Sequence, residues 1–101
     1  MSVYVDLMCA HGWCLRGRWV DSCHMFADTV EELFLFGDKI GLKRKWVQGV
    51  DEKGREPHFD LVLSKRVVAV AAGAIELTRE EAVAIWRKHR ESNIGEKEGK
   101  T

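Results

Sequence analysis

No apolar run in this sequence approaches the roughly 18 residues that a membrane-spanning helix needs, so a helical membrane protein is not expected. The opening MSVYVDLMCAHGW lacks a basic n-region and meets Asp6 early, so it does not read as a signal peptide. Neither sign of charge prevails, because sixteen basic residues balance sixteen acidic ones. A protein that holds nucleic acid mainly through phosphate contacts usually carries a basic excess, so that class is disfavoured, although a local basic patch remains open. Cysteine is scarce and odd in number (Cys9, Cys14 and Cys23), which fits reduced thiols and a cytoplasmic setting better than a disulfide framework. There is no CxxC, no HExxH, no GxGxxG and no GxxxxGK[ST], so the common zinc, dinucleotide and P-loop motifs are missing.

What is present is enough for one folded domain. The 101 residues are 46% hydrophobic, which supports a core. SVYVDL alternates and reads as a strand with Val3, Val5 and Leu7 on one face. Residues 8–27 show neither period clearly, although WCLRGRWV suits a short hairpin turning at Gly17 with Trp13 and Trp19 on its arms. ADTVEELFLFGDKIG is the clearest helix, capped by Asp28 or Thr29 with Glu31 and Glu32 three residues on. LKRKWVQGV reads as a strand with Trp46 in the core, and 50–57 as a charged loop. Ser64 can cap a second helix, KRVVAVAA, which stops at Gly73; AIEL is a short strand, and Thr78 with Glu81 opens a last helix with Ala82, Ile85 and Trp86 inward. Strands alternating with helices imply a single small α/β domain over 1–91, with a short, partly parallel sheet and about three helices. Residues 92–101 are expected to form a disordered polar tail.

Several polar groups carry candidate chemistry. In PHFDL an extended backbone projects His58 and Asp60 from one face, and Phe59 and Leu61 from the other. A histidine beside a carboxylate suits general acid–base work, since its ordinary pKa lies near neutrality and the carboxylate sets its tautomer. A solvated strand face explains the same pattern without function. His24 and Asp28 are expected to flank the start of the first helix, where unpaired N–H groups suit an anion; plain capping is the simpler role for Asp28. His11 and Arg66 complete the candidate set. Cys9, His11, Cys14, Cys23 and His24 are permissible zinc ligands, but their spacing matches no standard site, so structural zinc is not expected and no metal ligands are assigned. Cys23 beside His24 is a weak case for a nucleophile. Arg16, Arg18, Lys39, Lys43, Arg44 and Lys45, interleaved with tryptophans, offer a basic surface for stacking, against the simpler reading of core tryptophans and solvated lysines.

Taken in order, VYVD, HG at 11–12, CHMFAD at 23–28, EELF at 31–34, IGL at 40–42, Trp46, HFDL at 58–61, Arg66 and AAGAIEL at 71–77 resemble the small bacterial and phage proteins grouped as domain of unknown function 4031. The likeness spans about residues 3–90. That family's pattern runs through SHM or SHL, AD or SD, ELH, HYD, an arginine and a GA, and His24, Asp28, Glu32, His58, Asp60 and Arg66 fall on those positions. Phe59 stands where the family has tyrosine, and Phe34 where ELH has its histidine. An apolar residue at 34 argues for packing there and against a three-histidine metal centre. The resemblance implies a bacterial or phage-infected cytoplasm and supplies no reaction.

The expectation is a ligand-binding or interaction domain with a polar site of His11, His24, Asp28, His58, Asp60 and Arg66, suited to an anionic or nucleotide-like small ligand. The alternatives are a small hydrolase or phosphodiesterase-like enzyme, with His58 or His24 as acid–base and Asp60 or Asp28 orienting it, and a protein–protein adaptor.

Overall fold

A computed structural model describes residues 2–49 and 56–100, with the side chains of 11–13, 15 and 91–100 outside the description. Five strands form a mixed sheet: β1 (Val3–Val5), β2 (Cys9–Leu15), β3 (Arg18–Ala27), β4 (Phe59–Leu61) and β5 (Ile75–Glu76). Three helices complete the domain: α1 (Val30–Lys39), α2 (Leu63–Ala71) and α3 (Arg79–Lys100). The α/β class and the partly parallel sheet are therefore as the sequence implied. β1 and β5 pair in parallel, while β3 pairs antiparallel with β1, β2 and β4.

The irregular-looking stretch at 8–27 is a hairpin. Arg16 and Gly17 both have positive φ, 52° and 78°, as a two-residue hairpin turn matched to strand twist requires. Its second arm, β3, is the longest strand and organises the sheet. Cys23, Met25 and Ala27 face α1 and α2, and join Val3, Val5, Leu33, Phe59, Leu61 and Ala69 in the main core. Phe26 lies on the opposite face, where Leu77, Ala82, Ile85 and Trp86 pack against it with Tyr4. The sheet thus has α1 and α2 on one side and α3 on the other. A strand covered on both faces loses the alternation that would reveal it in sequence.

Thr29, not Asp28, caps α1; its side chain accepts from the Glu32 N–H at 3.1 Å. The capping box before α3 forms in both directions: Thr78 N–H to Glu81 at 2.9 Å, and Glu81 N–H to the Thr78 hydroxyl at 3.2 Å. Three sequence expectations are corrected. α2 begins after Val62, with no side-chain cap from Ser64, which lies inside its first turn. LKRKWVQGV is not a strand: Arg44–Trp46 form a 3₁₀ turn, and Gln48 alone pairs, as a bridge to His58. Three successive cations at 43–45 have no buried face to offer a sheet, and Trp46 is 48% exposed with the Lys43 ammonium 5.6 Å from its ring centre. Leu7 is likewise exposed, past the end of β1. The charged-loop expectation falls mostly at 50–55, outside the described residues, and the backbone of α3 takes in 92–100, the stretch expected as a polar tail.

Candidate functional site

The pairing register builds a row of polar side chains across three strands. His24 of β3 lies opposite Asp60 of β4. On its other side, the Asp6 N–H, one residue past β1, donates to the His24 carbonyl at 3.1 Å. Directly opposed residues in an antiparallel pair share a face, so Asp6, His24 and Asp60 all project toward the α3 side. The Gln48–His58 bridge extends the row, with backbone bonds of 2.8 and 3.0 Å in the two directions. PHFDL therefore divides as its alternation implied: Phe59 and Leu61 are buried in the main core, and His58 and Asp60 face the other way. His24 is the residue whose place differs, since it belongs to a central strand and not to the start of α1.

Each group at the centre of the row is held from behind. Asp6 accepts the His24 main-chain N–H at 2.7 Å through Oδ1 and meets His24 Nδ1 at 2.8 Å through Oδ2. His58 Nδ1 is 2.7 Å from the Glu56 carbonyl oxygen, which can only accept, so His58 donates from Nδ1. A proton on Nδ1 leaves the lone pair of a neutral imidazole on Nε2. His58 Nε2 is 3.6 Å and His24 Nε2 3.9 Å from the same oxygen, Asp60 Oδ1. The other Asp60 oxygen accepts from Gln48 Nε2 at 2.7 Å. Ligand atoms of His24, His58 and Asp60 all lie within 4.8 Å of one another. The two imidazoles meet edge to face at 5.0 Å, and Trp86 of α3 stands over His24 at 5.7 Å, forming an apolar wall.

The other sequence candidates lie elsewhere. Arg66 donates from Nε to the Asp6 carbonyl at 3.0 Å and from Nη1 to Glu76 at 2.9 Å, so it braces the backbone beside the row. Asp28 accepts from the Tyr4 hydroxyl at 3.0 Å and lies 3.7 Å from His89 Nε2. His89 Nδ1 in turn meets the Glu56 carboxylate at 2.7 Å. Burial raises the Glu56 pKa, a rise that the contact with His89 opposes. The His11 side chain is outside the described residues. Cys23 is fully buried, and its thiol is pushed up to about 12, first by burial and then by the nearby Asp6 charge, which removes it as a nucleophile at neutral pH. Phe34 packs against Phe59 at 6.4 Å on the face opposite the row, so position 34 contributes nothing to this site.

Sequence reasoning missed Asp6, Gln48 and Glu56. Asp6 shares the polar parity of Tyr4 on the first strand, and that was its one signal. Glu56 acts on His58 through a main-chain carbonyl, which no side-chain pattern encodes.

Over residues 3–89 the chain matches the family described as Protein of unknown function (DUF4031), and it belongs to that family. No curated protein and no solved structure matches it.

Proposed function

We propose that the protein is a small-ligand-binding domain whose site is the sheet face bearing His24, His58 and Asp60. The observation that carries this reading is the convergence of the two Nε2 atoms on one carboxylate oxygen, with each ring anchored through Nδ1 from outside. Rings fixed by partners behind them are preorganised, and preorganisation lowers the cost of binding.

The chemistry of the ligand follows from the charges. Arg66 is engaged with Asp6 and Glu76, and α1 is capped by Thr29, so two of the three features that favoured a bare anion are occupied and the histidines are left. Asp6, Asp60 and Glu76 outnumber the one guanidinium when the histidines are neutral. An anionic or nucleotide-like ligand fits this face when it arrives with a cation or meets protonated imidazoles. Titrating ¹⁵N-labelled protein with adenosine monophosphate, with and without a divalent metal, tests this. Amide shifts confined to Cys23–Met25 and His58–Leu61 support the reading; their absence under both conditions overturns it.

A second reading is hydrolysis. The Asp6–His24 pair favours it, because a carboxylate on Nδ1 holds the tautomer in which Nε2 can accept a proton. Cleavage of bis(p-nitrophenyl) phosphate that is lost in folded His24→Ala would support the enzyme. Turnover that is absent, or unchanged in the variant, would return the site to binding alone.

A further inference from the structure

We infer that His24 Nε2, His58 Nε2 and Asp60 Oδ1 form a mononuclear site for a divalent transition metal of the zinc class. The inference rests on the reading of this face as a ligand site and names what occupies its centre. The donor set is two imidazoles and one carboxylate, which suits zinc and its neighbours in the first transition row and ill suits magnesium or calcium, ions that prefer all-oxygen shells.

Three independent features point the same way. The first is geometry. Tetrahedral zinc with bonds of about 2.0–2.2 Å sets its ligand atoms about 3.3–3.5 Å apart. The observed nitrogen–oxygen separations are 3.6 and 3.9 Å, and all three ligand atoms fall within 4.8 Å. Closing a tetrahedral shell requires these atoms to draw closer together. The second is the outer support. A metal-bound histidine usually donates its other ring N–H to a carboxylate or a main-chain carbonyl. Here His24 meets the Asp6 carboxylate and His58 the Glu56 carbonyl, while Gln48 holds the second Asp60 oxygen. All three ligands are thus oriented from behind, each by a different partner. The third is charge. Two acidic side chains, Asp6 and Asp60, sit on one polar face, and a dication complements both.

The site is also reachable. Side-chain exposures of 24% for His24 and 28% for Asp60 leave an approach from solvent, and 11% for His58 places it deepest. Three protein ligands leave a fourth position for water or for an oxygen of an anionic ligand. That position reconciles an anionic ligand with a negatively charged face, since the metal and not the protein meets the anion. None of the three cysteines belongs to this donor set: Cys9 and Cys14 are exposed on β2, and Cys23 points to the opposite core.

The test uses the full chain, stripped with a chelator and titrated with zinc chloride by calorimetry, then with cobalt(II) by absorption. Wild type is expected to take up one equivalent of zinc. Asp60→Asn and His58→Ala are expected to lose it, while the double variant Cys9→Ser/Cys14→Ser keeps it. Cobalt is expected to give weak visible bands without the intense near-ultraviolet band of a thiolate ligand. Far-ultraviolet circular dichroism checks folding. If His58→Ala unfolds, the partly exposed Asp60→Asn carries the comparison. The inference is overturned if wild type takes up no zinc, if Asp60→Asn retains it, or if the cysteine variant loses it. Should zinc fail to bind while adenosine monophosphate still shifts Cys23–Met25, the metal is wrong and the ligand site stands. Should zinc bind and the nucleotide produce no shifts even then, the small-ligand reading is wrong and the metal site stands.

Discussion

Asp6→Asn separates a site-building role for this carboxylate from a purely structural one. In the wild-type protein Asp6 is 9% exposed and makes two contacts to His24, one to the main-chain N–H at 2.7 Å and one to Nδ1 at 2.8 Å. Hydrogen bonds to a charged group contribute about 1.5–3 kcal/mol and neutral ones about 0.5–1.5. An asparagine oxygen preserves one of the two contacts at neutral strength. Its NH₂ must then face Nδ1, which has to become an acceptor. The expected stability loss is about 2 kcal/mol, read by urea denaturation through tryptophan fluorescence. The second consequence is the sharper one. With Nδ1 turned acceptor, the ring proton moves to Nε2 and blocks the lone pair aimed at Asp60. Zinc affinity is therefore expected to fall by at least the roughly 10–100-fold seen when outer-shell partners of metal ligands are removed. A variant less stable by the stated amount yet unchanged in zinc affinity would show that Asp6 braces the fold without setting the tautomer.

Other substitutions probe the packing and caps around the site. Thr29→Ala should cost about 1 kcal/mol of stability, while Asp28→Ala should leave the helix cap intact and cost less; denaturation curves of the pair decide which residue caps α1. Gly37→Ala would place a Cβ 3.2 Å from the Phe59 ring in a filled core; overpacking of about 1–3 kcal/mol outweighs a helix-propensity gain of about 1, so net destabilisation is expected. Trp86 carries a buried indole N–H with no acceptor among the described residues, and an orphaned donor costs about 1–3 kcal/mol. Trp86→Phe should therefore be close to neutral in thermal unfolding, in contrast to Phe26→Ala, for which about 3–5 kcal/mol is expected. The Glu81 pKa lies below its ordinary 4.5, chiefly through the Thr78 main-chain N–H. Its stabilising contribution is present above that ordinary value and lost as pH falls through the lowered one, so Glu81→Gln should flatten stability against pH in the acid range.

The starts of α1 and α3 were legible because they are written locally, whereas α2 has no side-chain cap and its start was misplaced. Thr29 with Glu32 and Thr78 with Glu81 are side-chain-to-backbone contacts three residues apart, and no other part of the fold is needed to form them. The hairpin turn was legible for the same reason, through Gly17. β3 was not, because Cys23, Met25 and Ala27 serve one core while Phe26 serves the other, which erased its alternation. With β3 hidden, His24 was assigned to the edge of a helix, and the row joining Asp6, His24 and Asp60 could not be drawn. His58 and Asp60 were correctly placed on one face by strand parity alone. Their meeting with His24 depends on register, a relation between distant segments that no local pattern specifies.

A site built in this way requires that both rings hold their proton on Nδ1 and turn Nε2 toward a common centre. Long-range ¹H–¹⁵N correlation of the histidine side chains in the metal-free protein at neutral pH reads this directly. Nδ1–H tautomers at both His24 and His58, with the two Nε2 resonances moving together as zinc is added, are the predicted result. Nε2–H tautomers at either ring, or zinc-dependent changes confined to other residues, would contradict it.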